Sequence, residues 1–143
     1  MKRLGTVMAL LTAAFSTRVA GQEIQRWSPQ PWLPGFADWQ GSGTPYPVLI
    51  AIQLAILAAM IYTTMRVWTG ALSSSRRALA WSAWLGAIYM AASVARIAVG
   101  LAWAEAPKWF SAYISGVFHL VLAGFVLAVA RYHWLKVRGG SAR

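Results

Sequence analysis

YPVLIAIQLAILAAMIYTTMRVW, residues Tyr46 to Trp68, contains no acid and a single base, Arg66, close to its end. Inside it only Gln53 and a few hydroxyls are polar. The segment exceeds the roughly 20 residues that a helix needs to cross a hydrocarbon core. It shows no alternation of period two, and barrel strands are far shorter, so a strand does not fit. Two further runs share its character, Ala78 to Trp103 and Trp109 to Trp134. Each is bounded by Trp or Tyr, side chains that prefer the headgroup level. The expected fold is therefore all-α: an integral-membrane helical bundle with three transmembrane helices plus an N-terminal hydrophobic helix.

Composition agrees. The 143 residues are 59% hydrophobic and only 11% charged, with a mean hydropathy of +0.53. A soluble domain carries about 25% charged residues, and so little polar surface suits a chain whose outer face is solvated by lipid. The formal charge of +10 suggests nucleic acid only if its placement is ignored. The basic residues alternate with the apolar runs, Arg96 being the exception, and no nucleic-acid partner is expected. The absence of Cys removes disulfides, thiolate metal sites, iron–sulfur clusters and Cys nucleophiles.

Residues 1–21 combine a basic start, an apolar run from Leu4 to Phe15 and a small-residue ending. By length they fit a secretory signal peptide cleaved before Gln22; stretched to Ala20 they make a short first transmembrane helix. Residues 22–46, with Trp27, Trp32 and Trp39 among prolines, read as an irregular extracytoplasmic loop. Residues 47–134 form the membrane domain, and 135–143 a basic cytoplasmic tail. In the turn TGALSSSRR, Gly70 is positioned to end one helix and Ser73 to Ser75 to cap the next. If the chain alternates, Lys2, Arg3, Arg66, Arg76, Arg77, Arg131, Lys136, Arg138 and Arg143 share one side, which the positive-inside rule makes the cytoplasm. Glu23, Asp38 and Glu105, the only acids, then lie outside with Arg18, Arg26 and Lys108. A multi-pass protein of the inner (plasma) membrane with a cytoplasmic C-terminus follows.

The spans hold few groups capable of chemistry: Gln53, then Tyr89, Ser93 and Arg96, then Ser115 and His119. An Arg at a helix centre costs about 2.5–3.5 kcal/mol on insertion scales, so it faces the bundle or water and needs partners. Helical spacing puts Arg96 on a stripe with Tyr89, Ala92, Ser93, Gly100 and Trp103, and His119 with Ser115, Gly116, Leu122 and Ala123. Small residues allow close helix contact, so both faces should look inward. At 1.5 Å per residue Gln53 lies about 9 Å below Pro47, Arg96 about 10 Å below Trp103 and His119 about 15 Å below Trp109. All three therefore fall in the outer half of the membrane, where a shared ligand site is possible beneath Trp27, Trp32 and Trp39 as a lid. Structural roles compete with this: Arg96 snorkelling or pairing with Glu105, His119 bonded to Ser115 or a carbonyl, Gln53 as interhelical glue.

No catalytic set emerges. There is no acid beside His119 for a Ser–His–Asp arrangement, no Gly-rich phosphate loop and no metal-binding motif. Haem held by two His of one chain is excluded, because His119 and His133 stand about 21 Å apart along one helix. Haem on His119 with Met60 or Met90, or at a dimer interface, stays open, as does a quinone-like carrier. The expected function is a non-catalytic accessory or assembly subunit whose partners are the lipid bilayer and other membrane-protein helices. The alternative is a small-molecule or cofactor binder, a redox carrier or anion transporter, using Gln53, Arg96 and His119.

Overall fold

A computed structural model describes residues 2–40, 43–103 and 105–140; Arg143 of the basic tail and residues 41 and 42 of the Trp- and Pro-rich loop lie outside them. Regular structure among the described residues is entirely helical: α1 (Lys2–Trp27), α2 (Phe36–Trp39), α3 (Tyr46–Trp68), α4 (Arg76–Ala102), α5 (Lys108–Ser111) and α6 (Tyr113–Gly140). Of these, α1, α3, α4 and α6 are long and apolar enough to cross a membrane. The protein is thus an all-α bundle of four membrane-length helices.

Local chemistry sets the boundaries. Pro47 occupies the first turn of α3, where its missing N–H removes no helical bond. Gly70, with φ of 71°, closes that helix, and Ala71 N–H donates back to the Arg66 carbonyl at 2.8 Å. Ser75 then caps α4, its hydroxyl accepting from Ala78 N–H at 3.1 Å. Three boundaries differ from the sequence expectation. Helix α1 continues through Gln22 to Trp27, where a loop was expected, because the first helix-breaking proline is Pro29. The third apolar run is split: Trp109 belongs to the short α5, and α6 starts at Tyr113. At its other end α6 runs on past Trp134 to Gly140 with no proline in between, so the start of the basic tail is helical.

Helices α1 and α6 form the centre of the bundle. Met8, Phe15 and Val19 of α1 pack with Met60 and Val67 of α3 and with Phe125, Ala128 and Tyr132 of α6. Helix α4 lies against α6 on the far side, through the small face its sequence suggests: Gly86, Ser93, Arg96 and Gly100 are its buried residues. A Cβ on Gly86 would stand 2.7 Å from Leu127 Cδ2, and one on Gly100 would strike the Phe110 carbonyl. The opposite face of α4, with Trp81, Trp84, Leu85 and Ile88, is exposed, as a lipid-solvated face should be.

The basic end of the bundle is tied by side chains of α6. Fully buried Tyr132 donates to the Leu72 carbonyl at 2.8 Å, and Ser74 Oγ meets His133 Nδ1 at 3.0 Å. Tyr132→Phe strands the Leu72 carbonyl and is expected to lower stability by about 1–2 kcal/mol. Unfolding in mixed micelles of rising SDS content measures this.

Candidate functional site

At the end that carries the three acids, α3 and α6 both rest on α1 but scarcely on each other. The gap between them is a cavity of about 250 Å³ backed by α1. Its walls are Leu49, Ile52 and Ile56 of α3, Phe118 and Leu122 of α6, and Phe15 of α1. Four polar side chains interrupt these walls: Arg18, Gln53, Ser115 and His119.

Arg18, expected outside with Arg26 and Lys108, is only 6% exposed and lies inside the bundle. The longer α1 is the reason, since the helix runs on past Ala20 to Trp27. Arg18 Nη1 donates to Gln22 Oε1 at 3.1 Å and Nη2 to the Trp39 carbonyl at 3.2 Å. Gln22, expected to open the loop, is instead fully buried and accepts from Gln53 Nε2 at 3.0 Å. The orientation of both amides follows from chemistry. A guanidinium only donates, so Gln22 must turn its oxygen to Arg18, and Gln53 must then offer nitrogen to that same oxygen. Gln22 Nε2 and Gln53 Oε1 are left buried without a hydrogen-bond partner.

A second, smaller cavity of about 90 Å³ opens between α4 and α6, lined by Tyr89, Ala92, Ser93, Arg96, Trp109 and His119. His119 and Trp109 belong to both cavities. Tyr89 hydroxyl bonds His119 Nδ1, and the two rings meet edge-on at 5.7 Å. A neutral imidazole accepting the phenolic proton at Nδ1 carries its own proton on Nε2. Ser93 hydroxyl donates to its own helix, at the Tyr89 carbonyl, 2.7 Å away. Arg96 is 4% exposed, and no ion pair joins it to Glu105 among the described residues. Its Nε donates to the Trp109 carbonyl at 2.8 Å, its guanidinium stacks 4.5 Å from the Trp109 ring, and its Nη2 has no partner.

The predicted polar residues are thus divided between two adjoining cavities, Gln53 and Ser115 in one, Tyr89, Ser93 and Arg96 in the other, with His119 between them. The Trp trio is divided too. Trp39 is buried against Gly21 and its carbonyl holds Arg18, whereas Trp27 and Trp32 are 74% and 72% exposed and line neither cavity. Both buried guanidiniums have neutral partners. The acids are elsewhere: Glu23 accepts from Tyr46 and from Trp27, and Asp38 and Glu105 are exposed. No protein-family model matches the chain, and neither a curated protein nor a solved structure is similar to it.

Proposed function

We propose that this protein binds a small lipid-phase molecule in the cavity between α1, α3 and α6, in the outer half of the inner (plasma) membrane. One observation carries the proposal: the lining of an apolar groove includes a buried Arg18 and Gln53, whose oxygen has no hydrogen-bond partner. Such a mixture of apolar walls and a few convergent polar groups is what small-molecule sites are made of. A buried polar atom without a bond is worth about 1–3 kcal/mol to whatever satisfies it. The accessory-subunit role rests on outward apolar faces, which lipid alone also satisfies, so it has less support. To test binding, the protein is purified in mild detergent and its extract analysed by mass spectrometry. A stoichiometric molecule that disappears on His119→Ala supports the proposal, and a preparation with nothing bound refutes it.

We propose further that α1 is retained as the first of four spans. It supplies Met8, Phe15 and Val19 to the core and Arg18 and Gln22 to the site, all but Gln22 within residues 1–21. N-terminal sequencing of the mature protein is then expected to find α1 intact ahead of Gln22; a start at Gln22 would identify a signal peptide. The basic end, carrying Lys2, Arg66, Arg76, Arg77 and Lys136, is assigned to the cytoplasm by the positive-inside rule. A reporter fused after Arg143 should be active only in the cytoplasm, and periplasmic activity would reverse the topology.

A further inference from the structure

Taking the groove as a binding site, as proposed above, we infer the chemical class of its occupant: a single-chain amphiphile whose head is a phosphate monoester, entering sideways from the outer leaflet.

The head must bring negative charge. Arg18 and Arg96 flank His119 from the two cavities, and each has only neutral partners among the described residues. Inside a membrane an ionised side chain is normally paired, and here no carboxylate is at hand. Arg18 uses two of the five N–H donors of a guanidinium, on Gln22 and Trp39. The remaining donors and the His119 imidazole edge are of one kind, suited to oxyanion oxygens.

The head must also bring a donor. Gln53 lines the wall that Arg18 shares, and its Oε1 is an acceptor buried without a partner, which a turn of the side chain would present to a bound head. A carboxylate offers it nothing, while a hydrogen phosphate monoester presents P–O⁻ to Arg18 and P–OH to Gln53. The rest of the molecule must be hydrocarbon, because the other lining residues are mainly Leu, Ile and Phe. Its route is lateral. Helices α3 and α6 leave each other free along this side, and Ile52 on the rim is half exposed where the bundle meets lipid. A chain lying between Ile52 and Leu122 reaches the bilayer without crossing any helix.

The test uses the full chain in phosphatidylcholine nanodiscs and three probes of equal chain length: hexadecyl phosphate, hexadecanoate and hexadecanol. Hexadecyl phosphate is expected to bind at least tenfold tighter than hexadecanol, with hexadecanoate between them. Arg18→Gln should remove most of that preference, and Arg18→Lys should keep part of it; circular dichroism of both variants checks the fold. Millimolar inorganic phosphate should fail to displace the bound probe, since the groove, not the water side, supplies the ligand. If hexadecanol binds as tightly as hexadecyl phosphate, the site stands and the anionic class is overturned. Displacement by inorganic phosphate overturns lateral entry. Binding of none of the probes, with a folded protein, overturns the site itself.

Discussion

Arg18→Gln empties the groove: the variant is expected to carry at least tenfold less bound amphiphile than the parent chain while still folding as a four-helix bundle. Hydrogen bonds to a charged group contribute about 1.5–3 kcal/mol, which corresponds to roughly tenfold to a hundredfold in affinity. The fold should tolerate the change, because breaking this contact leaves no opposite charge stranded. Arg18 is bonded to Gln22 and to the Trp39 carbonyl, both neutral, and glutamine can still donate an amide N–H towards either. Loss of ligand with an unchanged unfolding midpoint, when parent and variant are both stripped of amphiphile, separates binding from folding. An equal loss of both would instead assign Arg18 a structural role.

The second large effect concerns the α4–α6 contact. Gly100→Ala is expected to destabilise the protein by about 3 kcal/mol, at the upper end of what overpacking produces. The added methyl meets the carbonyl of Phe110, with the Phe110 carbonyl carbon 2.9 Å away, and a backbone group has no rotamer through which to withdraw. The same carbonyl-lined corner receives Arg96 Nε at Trp109, and Tyr113 hydroxyl donates to the Gly100 carbonyl at 3.0 Å. Movement of α5 away from α4 would therefore loosen the smaller cavity as well. Gly139→Ala is the control: nothing lies within 4 Å of its added Cβ, and stability should change by less than about 1 kcal/mol. Denaturation by SDS in mixed micelles distinguishes the two outcomes.

How much was legible in the sequence differed from helix to helix. For α3, α4 and α6 the apolar run is long enough to speak alone, since only a spanning helix satisfies that much backbone in lipid. The inward stripe of α4 was equally readable, because Tyr89, Ser93, Arg96 and Gly100 recur at alternating spacings of three and four. Helix α1 was harder. Its apolar run stops at Phe15, and hydropathy carries no information about the polar turns beyond. A signal was present nonetheless: Gly5, Met8, Thr12, Phe15, Val19 and Gln22 follow the same three–four spacing, and all six are buried. Continuing that stripe past Phe15 would have kept Gln22 in the helix and set Arg18, four residues earlier, on nearly the same face. The partners of Arg96 were beyond such reasoning. Its bond to the Trp109 carbonyl depends on where α5 folds back between α4 and α6, and no helical period encodes that.

The central claim is that a lipid-phase molecule occupies the groove between α3 and α6, and photolabelling tests it most directly. Hexadecyl phosphate bearing a diazirine near the middle of its chain is added to the protein in nanodiscs, irradiated, and the adducts mapped by peptide mass spectrometry. Labelling concentrated on Ile52, Ile56, Phe118 and Leu122, and competed away by unlabelled hexadecyl phosphate, is the predicted result. Labelling confined to the outward face of α4, on Trp81, Trp84 and Ile88, and insensitive to competitor, would contradict it.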